Sequence, residues 1–175
     1  MASFNVETRI AHPAPEVFRC YRDDMAKAAV FIPNIKGIEV RERTEEGATV
    51  KLVNHWRAKA EIPGPLKAMI SEDKLGWLDH ATWNATTSTC DWRLEITAFK
   101  DAVDCRGQTR FVADGDKAAR MIITGQLSVD ASKVGVPRML AGSVGKAVEA
   151  FAVALIKPNL EEMGRAVGRY LSEKR

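Results

Sequence analysis

The chain has 175 residues, 46% hydrophobic and 28% charged, and its 26 basic and 23 acidic side chains leave a formal net charge of +3. That composition excludes disorder, collagen and coiled coil, and a chain this long buries roughly 70% of its extended surface, enough for a core without disulfides or metal. No apolar run approaches the ~18–20 residues of a membrane span, and the mild charge lacks the clustered basic excess of a dedicated nucleic-acid binder. Cys20, Cys90 and Cys105 are odd in number and show no CxxC spacing, which reads as free thiols in a reducing compartment. The opening Met1-Ala2-Ser3-Phe4-Asn5-Val6-Glu7 has neither the basic region nor the apolar region of a signal peptide. The expectation is a cytoplasmic protein whose residues 1–175 form a single domain, without internal repeats.

Phe4, Val6, Thr8 and Ile10 alternate with Ser3, Asn5, Glu7 and Arg9, the pattern of a half-buried strand. Pro13 and Pro15 suit the first turn of a helix, carried on by Val17, Phe18, Tyr21 and Met25 at helical spacing. Asp23-Asp24 is placed to cap a second short helix from Met25 to Phe31, which Pro33 stops. Six strands follow in series: 35–43, 49–60, 75–84, 90–99, 103–113 and 117–130. In the second of them Val50, Leu52, Asn54, Trp56 and Ala58 share one face, while Lys51, His55, Arg57 and Lys59 share the other with Val53. Asp114-Gly115 signals a hairpin between the last two strands. From about Gly142 apolar residues fall at threes and fours to Tyr170. Pro158 interrupts the pattern, and the expectation there is a kink or two helices end to end.

Consecutive strands joined by short turns make an antiparallel meander, and its apolar face needs a cover that the C-terminal helix can supply. The predicted class is therefore α+β, a curved sheet of about seven strands around a long C-terminal helix, with two short helices between strands 1 and 2. The opening 6–18, a strand running into Ala14-Pro15-Glu16-Val17-Phe18, is similar to the start of the helix-grip superfamily. So is Met25 to Ile38, a helix followed by a proline and then a strand. That superfamily includes START domains, Bet v 1-like proteins, polyketide cyclase/dehydrases and coenzyme Q-binding proteins, and the resemblance covers about residues 3–172. It implies a hydrophobic cavity between sheet and helix for a lipid, sterol, quinone or polyketide-like ligand. One fold of this kind hosts many activities, so the resemblance speaks to fold more than to function.

Trp56, Trp77, Trp83 and Trp92 fall on the faces assigned inward, where they line a pocket or pack the core. Asn54 and Asp79 share those faces, and a polar group on an apolar inner face needs a partner. Phe111, Met121, Met139, Phe151 and Leu155 complete the predicted ligand-contacting set. Asp79 is the one catalytic candidate, as a general acid or base; its neighbour His80 must point the opposite way. The dispersed His12, His55 and His80 give no metal-ligand spacing, and no cofactor motif appears. Two apolar loops, one with Ile62, Leu66 and Met69 and one with Val136 and Leu140, read as pocket entrance or transient membrane-surface contact. For the first of them the alternative is a loop folded onto the sheet edge. The leading expectation is a non-enzymatic binder or carrier of a hydrophobic small molecule. The alternatives are an aromatase/cyclase- or dehydratase-like enzyme using Asp79 in the same cavity, and a protein-interaction module with a filled interior and an exposed apolar patch. The sequence does not speak to oligomeric state.

Overall fold

The computed structural model of the protein describes residues 1–174. Its strands are β1 (Ala2–Ile10), β2 (Ile35–Glu46), β3 (Thr49–Ala58), β4 (Gly76–Asn84), β5 (Thr89–Ile96), β6 (Val103–Ala113) and β7 (Ala119–Val129). Its helices are α1 (Ala14–Asp23), α2 (Met25–Ala28, continued by one 3-10 turn to Phe31) and α3 (Ala141–Glu173). The strands form one sheet in the order β1-β7-β6-β5-β4-β3-β2, antiparallel throughout. β1 and β2 are its opposite edges, so α1 and α2 carry the chain across the sheet between them. The inward faces expected from alternation hold: Val50, Leu52, Asn54, Trp56 and Ala58 are all buried.

The sheet curls where large and small residues meet in one transverse row. Phe4 lies opposite Gly125, Gly125 opposite Gly107, and Gly107 opposite Trp92. The two aromatic rings reach over the glycines from either side and stack at 6.2 Å between centroids. A β-carbon built on Gly107 would run into the Thr124 carbonyl and the Trp92 ring. The edge strand β2 is different. Two irregularities break its register, between Ile35 and Gly37 and between Val40 and Glu42, and nearly all of it beyond Ile38 is exposed and charged.

α3 runs across the concave face as one helix through Pro158, so the chain does not form two helices end to end there. The carbonyl that loses its donor is that of Ala154, an exposed residue, so water can satisfy it. On the buried side Asn159 Nδ2 donates to the Leu155 carbonyl at 2.6 Å. The second half of α3 is strapped down. Gly164 lies so close to Thr8 that a β-carbon there would meet it at 2.6 Å. His12 Nε2 and Ser172 Oγ are hydrogen-bonded at 3.0 Å, and the Arg169 guanidinium sits 4.4 Å from the Phe31 ring centroid. Asp24 occupies the N-cap position of α2 without a side-chain cap bond. Its carboxylate instead pairs with Lys27 at 2.8 Å and with Lys174 at 3.4 Å, a second strap on α3.

The glycine row generates a stability prediction. Gly107→Ala forces an overpacked contact against backbone that cannot yield, and overpacking of this kind costs about 3 kcal/mol. Urea unfolding monitored by tryptophan fluorescence should show that loss, while Gly115→Ala, in an open turn with nothing near it, should lose less.

Candidate functional site

The site is built from the centre of the sheet outward. On β3 and β4 two pairs stand directly opposite: Asn54 with Asp79, and Trp56 with Trp77. The second pair stacks at 5.5 Å between centroids and 16° between planes. Four residues beyond Asp79 on β4, Trp83 stacks on Phe111 of β6 at 5.8 Å and meets Tyr21 of α1 at 5.3 Å. From above, α3 contributes Leu160 and Met163, and the Tyr21 hydroxyl donates to Met163 Sδ at 3.1 Å. These groups, with Cys90, Trp92 and Leu94 of β5, enclose a cavity of about 30 Å³. That is room for one or two water molecules.

Polar groups around the cavity are left without partners. Trp56 Nε1, Trp83 Nε1 and Asp79 Oδ1 are all shut away from solvent and make no hydrogen bond. Trp92 differs, since its Nε1 donates to Thr109 Oγ1 at 3.2 Å. Asp79 is half-buried as a residue, and the part still accessible lines the cavity. Burial pushes its carboxyl up from an ordinary 3.8 to about 7, while the side chains of Asn54 and Trp56 pull the other way. The Tyr21 phenol and the Cys90 thiol are both pushed well up, first by burial and then by Asp79. An unpaired buried polar atom costs about 1–3 kcal/mol, so three around one small cavity mark a place where the fold gives up stability.

Of the residues expected to contact ligand, Trp56, Trp77, Asp79, Trp83 and Trp92 line this cavity, and Asn54 faces Asp79 beside it. Phe111 backs Trp83, and Met121, Phe151 and Leu155 are buried in the core around it rather than in its wall. Met139 stands apart: it is 97% exposed on the loop ahead of α3 and cannot touch an interior ligand. The entrance loops also separate. Leu66 is fully buried in a 3-10 turn that packs on α3, with Ile62 and Met69 half-buried beside the core, so this loop is folded down and Leu66 is unavailable to a membrane surface. Val136 is half-buried and Leu140 is exposed. Among the wall residues, Tyr21 and Met163 stand in the sequence only as helical apolar positions, Leu160 is not singled out there, and Cys90 and Leu94 share the parity of Trp92 on β5.

A larger depression of about 640 Å³ lies on the convex face, floored by Gly107 and Gly125. It is open, and its charged rim is already paired: Arg106 with Asp104 at 2.9 Å and Gln108 with Asp91 at 2.8 Å. His80 also belongs to this outer face, 3.7 Å from Glu95. Among the described residues no group of three or more His, Cys, Asp or Glu side chains converges as metal ligands, and no helix is long and apolar enough to cross a membrane.

A seven-stranded curved antiparallel sheet gripping one long C-terminal helix, with two short helices after the first strand, is the helix-grip fold of START and Bet v 1-like proteins. The fold is shared with the Zhui aromatase/cyclase from Streptomyces sp. R1128, at a TM-score of 0.66 and 15% identity over 99% of this chain and 96% of that one. Norcoclaurine synthase from Thalictrum flavum, solved with dopamine and hydroxybenzaldehyde, gives 0.60 and 12% over 99% and 88%. Ara h 8.0201 gives 0.56 and 17% over 98% of each. By sequence, residues 5–171 match the family described as a protein of unknown function (DUF2505), and the chain belongs to that family. No curated protein matches it in sequence.

Asp79 makes stability depend on pH. The folded carboxyl holds its proton more tightly than the unfolded one, so its contribution is complete below about pH 4 and is lost as pH rises through about 7. The loss from this group amounts to at most about 4 kcal/mol. Asp79→Asn removes it. In urea melts the variant should gain on the wild type between about pH 5 and pH 8, whereas a constant difference across that range would show that Asp79 ionises freely in the folded state.

Proposed function

We propose that this protein binds an apolar small molecule between its sheet and α3, as a cytoplasmic binder or carrier rather than an enzyme. The observation that carries this reading is the convergence of three unpartnered buried polar atoms, on Trp56, Trp83 and Asp79, around one aromatic cavity. A packed core has no use for such groups, and a ligand's polar end gives them partners. At about 30 Å³ the cavity must widen to admit a ligand. The wall able to yield is that of Leu160 and Met163, where the thioether is adaptable. Burying ~300 Å² of ligand returns roughly 7 kcal/mol against that opening and the cost of association. The stacked indole walls suit a flat ligand, at the quinone- or polyketide-like end of the range implied by the fold.

A second reading is acid–base catalysis in the same cavity. It is favoured by the near-neutral Asp79, whose value suits proton transfer at physiological pH, and by an aromatase/cyclase and a synthase among proteins of this fold. The small cavity also agrees with an interaction module that has a filled interior, but such a module gives no reason for the orphaned indoles and carboxyl.

Naphthol, a flat molecule with one hydroxyl, tests the binding reading. Its titration should quench the tryptophan fluorescence saturably. Cys90→Met, which fills the cavity, should abolish the effect, and Met163→Ala, which enlarges it, should strengthen binding several-fold. Absence of saturable binding even to Met163→Ala would reject an interior site.

A further inference from the structure

The ligand's chemistry is written in the one carboxyl of the site, which has no cationic partner among the described residues. Asp79 lies directly opposite Asn54 and beside Trp56; burial raises its carboxyl to about 7, and these two neighbours act the other way, toward the ionised form. Among the described residues no Lys, Arg or His pairs with it. Around it stand the stacked indoles of Trp56 and Trp77, the ring of Trp83 and the phenol of Tyr21. Aromatic faces attract cations through their quadrupole, most strongly where water is excluded. A carboxylate among them adds a full opposite charge in a low dielectric. The protein therefore gives Asp79 the Asn54 and Trp56 side chains on one flank and an aromatic enclosure around it, leaves Oδ1 without a hydrogen bond, and supplies no cation.

We infer that the polar end of the bound molecule is a protonated amine, held by Asp79 within the walls of Trp56, Trp77, Trp83 and Tyr21, with the apolar body directed toward Leu160 and Met163. This rests on the binding reading above and narrows it. A hydroxyl or carbonyl would give an indole N–H its acceptor. It would leave the carboxylate without a counter-charge, or require Asp79 to stay protonated.

The other groups facing Asp79 do not titrate near neutrality in a way that confuses the test. Tyr21 from α1 and Cys90 from β5 are both held protonated. β3 presents Asn54 and Trp56, and α3 presents Leu160 and Met163, none of them ionisable in this range. His80 and Glu95 lie on the opposite face of the sheet.

Calorimetric titration with phenethylamine and with phenethyl alcohol, matched in size, separates the alternatives. The amine stays protonated throughout from about pH 6 to pH 8. At about pH 8 it should bind at least tenfold more tightly than the alcohol. Its affinity should rise several-fold from about pH 6 to pH 8 in the wild type, with no rise for the alcohol. Asp79→Asn should abolish the preference, lowering the amine's affinity to that of the alcohol in the same variant. The wild-type pH series needs no variant, so it stands even if Asp79→Asn folds poorly. An alcohol that binds as well as the amine at the higher pH, or a preference that survives in Asp79→Asn, overturns the amine and leaves the binding reading intact. If neither compound binds and naphthol also fails, both readings fall together.

Discussion

Two glycines facing one another across β6 and β7 set the shape on which everything else depends. A seven-stranded sheet covered by one helix must curl, because a flat sheet of that width would leave apolar side chains beyond the helix's reach. At Gly107 and Gly125 the inner surface has no side chains, and Phe4 and Trp92 fold over the gap from both sides. The curl brings β3 and β4 around to face α1 and α3. Without it Tyr21 would not meet Trp83, nor Met163 close the cavity. The aromatic residues thus do two jobs, filling the bend at one place and walling the cavity at another, and Trp92 takes part in both.

Inside that curl the fold accepts a cost. A carboxyl, two indole donors and an amide occupy positions that alternation assigns to the core, and apolar residues would be more stable there. The price is visible in Asp79, which burial drives toward its neutral form while Asn54 and Trp56 draw it back. Opposed influences of this kind make a group responsive: a modest change in its surroundings is enough to shift its charge.

Much of this was legible in the sequence because strand alternation is local. The parity of Asn54 and Trp56 on β3, and of Trp77, Asp79 and Trp83 on β4, could be counted along the chain, and no bulge on β3 or β4 disturbed their mutual register. Helical positions were less informative. Tyr21, Leu160 and Met163 each belong to an apolar stripe, and only the tertiary crossing of α1 and α3 decides which members reach the cavity. Loops were the least legible. Leu66 and Met139 are both apolar residues in proline-containing segments, yet one is fully buried and the other almost wholly exposed. Docking against α3 makes that difference, and nothing within either loop encodes it. Pro158 lies inside one helix rather than between two, and the carbonyl it orphans, on Ala154, belongs to an exposed residue.

The edge strand β2 has a consequence for how this protein keeps company. An open sheet edge is a template on which another chain's strand can hydrogen-bond, and flat apolar edges seed fibrils. β2 carries two breaks in register and a dense row of exposed Glu and Arg side chains. An incoming strand would meet mismatched spacing and would have to strip water from charges at nearly every residue. The edge is closed to recruitment, whether by a second copy of this chain or by a foreign peptide. On this side of the sheet, assembly has to proceed through side chains rather than by adding a strand to β2.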